Sequence, residues 1–442
     1  IESNGEGAII DPLREINPYL ELAKSRNAKI KYIFETHFHA DFVSGHLDLA
    51  AQTGASIVYG PSAKANFKIY EAADGEFFPL GSCKIKVIHT PGHTLESCCF
   101  LLIDESGQEN ALFTGDTIFV GDVGRPDLAV KSDLSREDLA GMLYESIQKL
   151  LVLSDDLILY PGHGAGSACG KNIGKETSST LGIQKKLNYA LQPMSKEQFV
   201  KAVTEGLTEP PKYFFVDAGI NKAGYEPIDD VLKRNTKEIS LETFQNEVKA
   251  GALIVDTRDP DTFEKGYIPG SINIGLGGQY AIWVGSLIKY KTPLVLICEN
   301  GKETESALRL ARIGFESVVG ILKDGINQWK AAGLKLDVMS SINPDEFVKG
   351  HKASQSVIDV RNEGEWNTTG IIENAQLITL SKLEDQLASL DKSKHHFVHC
   401  ARGYRSMIAS SILRKNGFSQ VTNIRGGLGK IKEAGIALVP VV

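Results

Sequence analysis

Short apolar runs alternate with segments of helical period along the whole chain, which predicts an α/β protein. In the first third, apolar runs at residues 7–11, 31–35, 56–59, 84–89 and 111–114 read as strands. A helix over 18–26 separates the first two. Ser195 and Gln198 stand as a capping box opening a helix over 195–207, and Pro210-Pro211 ends it. Residues 212–237 carry no strong period and are expected to be an extension and linker. Beyond them the pattern repeats. Asp256-Thr257-Arg258 returns as Asp359-Val360-Arg361, and Cys298 returns as Cys400. Gly314-Phe315 returns as Gly417-Phe418, and Ala332-Gly333-Leu334 as Ala434-Gly435-Ile436. Four anchors in one order, at offsets of 102 or 103 residues, mark two related small α/β domains with parallel sheets. The expected division is 1–235, 236–340 and 341–442.

Length and composition narrow the class. The chain has 442 residues, long enough for about three domains. Its 48 basic residues against 55 acidic ones give a net charge of −7, so no general nucleic-acid footprint is present. No apolar run approaches the roughly 18 residues of a membrane span. Six cysteines in this length suit free thiols in a reducing cytoplasm better than a disulfide framework. A homo-oligomer is the expected assembly. The chain opens at Ile1 rather than Met, so a leader or a further strand could precede it.

The candidate chemistry gathers at strand ends. Residues 36–42 read Thr-His-Phe-His-Ala-Asp-Phe. His37 and His39, two apart after a strand, can project to one side. His93 sits in the turn Pro91-Gly92-His93-Thr94, Asp116 in Thr114-Gly115-Asp116, and His163 in Pro161-Gly162-His163-Gly164. A lone histidine in a loop is usually a hydrogen-bonded loop residue. Several segments that each supply a ligand type beside glycine or a strand end point to a metal.

This pattern resembles the metallo-β-lactamase superfamily, whose signature H-x-H-x-D-H is met here except that Phe42 replaces the last histidine. Within it, the chain is similar to persulfide dioxygenases more than to glyoxalase II thioesterases. The resemblance covers about residues 7–235 and includes the run 119–127 and Pro161-Gly162-His163-Gly164-Ala165-Gly166. It implies an αββα sandwich and one Fe(II) held by His37, His93 and Asp116. That two-histidine, one-carboxylate set leaves positions open for a persulfide and O2. His39, Asp41 and His163 would then orient the ligands or relay protons. Arg125 would approach the carboxylate of a thiol substrate, or else form a surface salt bridge. Cys169 could relay sulfane sulfur, or be a small residue in a tight loop. Cys83, Cys98 and Cys99 lie in strand-like runs and are expected to pack in the core.

Cys400 ends the apolar run 396–399 and is followed by Ala401-Arg402-Gly403-Tyr404-Arg405-Ser406 and a helical segment. A cysteine in a loop closed by a helix N-terminus meets N–H groups that favour a thiolate and bind anions. Arg402 and Arg405 add positive charge. The arrangement C-x-x-G-x-R-S resembles active rhodaneses, which implies sulfur transfer at Cys400, with Tyr404 in the substrate site. In the first copy Glu299 and Glu303 stand where Ala401 and Arg405 stand in the second, so Cys298 is expected to be structural or a docking element.

Together these resemblances imply a persulfide dioxygenase–rhodanese fusion. A low-molecular-weight thiol persulfide and O2 would give sulfite and thiol. Cys400 would pass sulfane sulfur to sulfite to form thiosulfate, or run in reverse. Glutathione and coenzyme A are both open as the thiol. A binuclear zinc thiolester hydrolase and a non-enzymatic persulfide carrier are the alternatives.

Overall fold

The computed structural model describes residues 1–129, 134–207, 209–352 and 354–441. They form two compact units, 1–230 with 311–314, and 231–310 with 315–442.

The first unit is a four-layer αββα sandwich. One sheet runs Glu2–Ser3, Glu6–Ile10, Lys29–Glu35, Ser56–Tyr59, Tyr70–Glu71. All its pairs but the first are parallel. The other runs Ser179–Thr180, Ile158–Pro161, Glu109–Gly115, Cys98–Ile103, Cys83–His89, Phe77–Leu80. Alternation along each strand assigns the layers. Phe34, Val58, Val87 and Phe100 point between the sheets. Ile33 and Ile57 pack on the outer side with Leu49 of the helix His46–Thr53. Cys99 and Leu101 pack with Leu143 and Ile147 of the helix Arg136–Leu151. Truncating a fully buried ring such as Phe100 to alanine would cost about 3–5 kcal/mol. Ser135 with Asp138, and Ser195 with Gln198, form capping boxes at two helix starts.

The expected linker over 212–237 is corrected. It holds two helices, Phe214–Ala223 and Ile228–Asn235. The buried face of the first is Phe214, Asp217 and Asn221. Two of those three are polar, so hydropathy alone hides the helical period.

The second unit contains the repeat. One sheet runs Glu238–Ile239, Val318–Leu322, Leu294–Ile297, Leu253–Asp256, Ile272–Asn273. The other runs Ser340–Ile342, Val421–Ile424, His396–His399, Ser356–Asp359, Gln376–Leu377. Both are parallel throughout and share one strand order. The recurring Asp-x-Arg is the same device twice. Arg258 grips Asp256 and donates to Gly266 O, while Arg361 grips Asp359 and donates to Gly370 O. Among the described residues no helix is long and apolar enough to cross a membrane.

Candidate metal centre and cysteine loop

The candidate ligands come from strand C-terminal ends in both sheets of the first unit. His37 follows Lys29–Glu35, His93 follows Cys83–His89, Asp116 follows Glu109–Gly115, and His163 follows Ile158–Pro161. Glycine lets these ends converge. A Cβ at Gly115 would stand 2.5 Å from Thr36 Oγ1, and one at Gly162 only 2.6 Å from Asp116 Oδ1.

His37, His93 and Asp116 are buried, and each offers one donor atom to a common point. Asp116 Oδ2 lies 3.3 Å from His93 Nε2 and 3.9 Å from His37 Nε2. Among the described residues these nitrogens and both Asp116 oxygens have no hydrogen-bond partner. Buried polar atoms are rarely left unsatisfied, so the donor set fits a bound metal ion.

The hydrogen bonds behind the histidines fix their tautomers. Thr36 Oγ1 donates to Asp11 Oδ2 and therefore accepts from His37 Nδ1 at 2.9 Å. His93 Nδ1 donates to the Arg125 carbonyl at 2.9 Å. Each ring then presents a lone pair on Nε2. Burial, with His39 adding to it, holds His37 well below the usual histidine range, so the ring stays neutral. Burial would raise Asp116, but His163 and His37 outweigh it and keep the carboxyl ionised.

The remaining expected residues divide. His163 Nε2 lies 3.3 Å from Asp116 Oδ1 and 3.3 Å from Asp41 Oδ2. Cys169 joins Asp41 and His163 as a second donor group. Burial, with Asp41 and Asp116 next, pushes the Cys169 thiol up to about 12. His39 turns away from this centre. Its Nε2 lies 3.1 Å from Asp11 Oδ1 and 3.3 Å from Glu35 Oε2, and Phe42 covers its ring at 4.3 Å. Arg125 is buried, with its guanidinium on both oxygens of Asp127 and on the Ala168 carbonyl. A surface salt bridge is thus replaced by a buried one. Cys98 and Cys99 are core residues, whereas Cys83 is partly exposed.

In the second unit Cys400 follows the strand His396–His399, and the helix Tyr404–Lys415 begins four residues later. Gly403 N–H donates to Cys400 Sγ at 3.1 Å. The sulfur is nearly fully buried. Arg402 is exposed. Arg405 is not a free cation, because both its terminal nitrogens bind Glu365 at 2.7 Å. The partly buried Tyr404 gives its hydroxyl to Gly275 O at 2.7 Å. In the first copy, burial first and Glu303 among the lesser causes push the Cys298 thiol up to about 11.

The profile of the Metallo-beta-lactamase superfamily matches residues 1–163, and that of the Rhodanese-like domain matches 240–332 and 343–434. A solved metallo-beta-lactamase from Staphylococcus aureus subsp. aureus COL is 32% identical, with a TM-score of 0.64. That alignment covers 72% of this chain and 91% of the other. The chain belongs to the metallo-beta-lactamase superfamily, followed by two rhodanese-like domains. Its metallo-beta-lactamase domain is also similar to a probable hydroxyacylglutathione hydrolase of Schizosaccharomyces pombe, 33% identical over 160 residues. A hydroxyacylglutathione hydrolase of Rhizobium etli is 38% identical over 163 residues. These matches cover 35% and 36% of this chain, and 58% and 57% of the relatives. The chain thus spans little more than half the length of the curated relatives it matches.

Three residues of the metallo-beta-lactamase domain escaped the sequence reading. Asp11 and Glu35 each close an apolar strand with a carboxylate, which was the available signal. Asn221 had none. From the helix Phe214–Ala223 it donates to His39 O and Phe42 O and accepts the Ser44 N–H, fastening the His37–Phe42 loop.

Proposed function

We propose that this chain oxidises a low-molecular-weight thiol persulfide with O2 at one non-heme Fe(II), and that its last domain transfers sulfane sulfur through Cys400. The observation that carries the reading is the donor set itself. Two histidines and one carboxylate face a common point, while Phe42 stands where the superfamily signature has a further ligand.

When bound, the iron would supply the one-electron chemistry that O2 requires. The chain's own residues would do the rest. His37, His93 and Asp116 would hold the metal and leave positions open. Asp11 through Thr36, and the Arg125 carbonyl, keep the two rings in the ligating tautomer. His163, between Asp116 and Asp41, would hold or move a proton beside the centre. The balanced step is R–S–SH + O2 + H2O giving R–SH and sulfurous acid.

In the last domain the Cys400 thiolate would attack the outer sulfur of a second persulfide. The S–S bond breaks, R–S⁻ leaves and takes a proton, and Cys400 carries the sulfane sulfur. Sulfite then attacks that sulfur, and the Cys400 thiolate leaves as thiosulfate forms. Gly403 N–H would stabilise the charge on the sulfur in both states. Fusing both activities on one chain raises the effective concentration of the intermediate. We place the chain in the cytoplasm, as a homo-oligomer.

A thiolester hydrolase with two zinc ions is the second reading. The curated relatives favour it, as does Asp116 Oδ1 facing His163 beside Asp41. Metal content and O2 uptake decide between them. Protein loaded with one Fe(II) should consume O2 with glutathione persulfide and release sulfite. Hydrolysis of a glutathione thiolester by protein holding two zinc ions, without O2 uptake by the iron form, would replace the first reading.

A further inference from the structure

We propose that the first rhodanese-like repeat clamps the Cys400 loop, and that Glu264 and Gly278 are positioning residues for sulfur transfer. The proposal rests on the reading of Cys400 as the transfer nucleophile.

Two loops of the last domain close on Cys400. One is its own, residues 400–403. The other is Arg425-Gly426-Gly427. The Leu428 N–H donates to Cys400 O at 2.7 Å. A Cβ on Gly427 would stand 2.2 Å from the Ala401 carbonyl, and one on Gly403 would stand 3.3 Å from Gly426 N. Backbones this close move together.

Each loop is fastened to the first repeat. Tyr404 directly follows the Cys400 loop, and its hydroxyl donates to Gly275 O at 2.7 Å. Its ring lies flush on Gly278, where a Cβ would stand 2.5 Å from ring carbons. Arg309 donates to Leu276 O at 2.6 Å and to Gly278 O at 2.9 Å, which holds that segment in place. On the other side Arg425 donates to both oxygens of Glu264, at 2.7 and 3.2 Å. Glu264 is itself buried, so this carboxylate is committed to the guanidinium. Phe263 and Tyr267 of the first repeat pack in one cluster with Met407 of the Cys400 helix.

None of these first-repeat groups touches the sulfur. They act through Tyr404 and Arg425 on the position of the Gly403 N–H, 3.1 Å from Cys400 Sγ. A repeat whose own cysteine is held as a thiol thus keeps a task in the chemistry of its twin.

The test uses the full chain and three readouts: thiosulfate:cyanide transfer, the pH profile of Cys400 alkylation by iodoacetamide, and the melting temperature. Gly278→Ala and Glu264→Ala should each lower kcat/KM by about tenfold to a hundredfold, the scale of an ångström misplacement. Both should move the alkylation profile to higher pH. Glu264→Asp, which keeps the charge, should recover most of the rate. Cys400→Ser, run alongside, should abolish transfer. Transfer surviving in Cys400→Ser would remove the underlying reading. Loss there, with wild-type kcat/KM and an unmoved profile in both clamp variants, would overturn the clamp alone. A lower melting temperature with an unmoved profile overturns it equally. If Gly278→Ala does not fold, Tyr404→Phe, which deletes one hydroxyl and adds no atom, is read by the same criteria.

Discussion

The two repeats have five-stranded parallel sheets of the same order, the same Asp-x-Arg pair and a cysteine after the same strand, yet the two sulfurs sit in different surroundings. Cys400 accepts the Gly403 N–H at 3.1 Å. Each sulfur donates to a serine hydroxyl, Cys400 to Ser406 at 3.6 Å and Cys298 to Ser306 at 3.4 Å, and burial holds Cys298 as a thiol near pKa 11. Gly301 repeats Gly403 in sequence and in its positive φ, so backbone permission is shared. The difference teaches that a copied framework does not fix the surroundings of its sulfur. Burial, more than the glutamates singled out by sequence, sets the state of Cys298, and the Ser306 and Thr257 hydroxyls oppose it.

The largest expected effects break the comparison outright. Cys400→Ser should abolish thiosulfate formation from persulfide and release free sulfite, with O2 uptake kept. Cys298→Ser should leave thiosulfate yield within about twofold, since its thiolate is scarce at neutral pH. Product analysis at matched persulfide and oxygen, corrected for the uncatalysed reaction of sulfite with persulfide, checks both. Unchanged thiosulfate from Cys400→Ser would send the role to Cys298 or Cys169. The complementary loss is His93→Ala, which should end O2 uptake and leave thiosulfate:cyanide transfer intact.

Next in size are changes to what the repeats share. Arg258→Ala and Arg361→Ala each strand a buried aspartate and should cost about 3–5 kcal/mol in urea unfolding. Equal losses would support one framework used twice. A loss in only one copy would show that the pairs differ in what they support.

A medium effect is expected in the first unit. Phe42→His should raise tightly bound metal from one ion per chain toward two, with Asp41, His163 and the new imidazole as ligands and Asp116 between the two ions. Metal titration that still finds a single site would remove Phe42 as the discriminator.

The smallest effect sharpens the contrast at Cys298. Iodoacetamide labelling of Cys298 should rise about tenfold per pH unit and level off only near pH 11, because thiol persists below its pKa and thiolate forms above it. Glu303→Arg should move that profile down by less than one unit, since burial is the larger cause. A larger shift would return the decision to the glutamates.

Much of the architecture was legible from period and repetition. The strands Lys29–Glu35 and Cys83–His89 alternate lysine with apolar residues in their first halves, and the Asp-x-Arg recurrence marks two copies. Ligand types beside Gly92, Gly115 and Gly162 were visible because close approach leaves glycine in the sequence. Hidden elements were those with a polar inner face, as in Phe214–Ala223 with Asp217 and Asn221.

What the sequence determined by itself was residue type and order: two kinds of domain, one copied, with histidines, an aspartate and a cysteine at strand ends. Only the tertiary structure decided which of these face one another. It turned His39 to Asp11 and Glu35, placed Arg125 on Asp127, paired Arg405 with Glu365 and gave the Tyr404 hydroxyl to Gly275. The physical reason is that hydropathy period reports which side of an element is buried, whereas a charge or a hydroxyl takes its partner from whatever distant segment folding brings within about 3 Å.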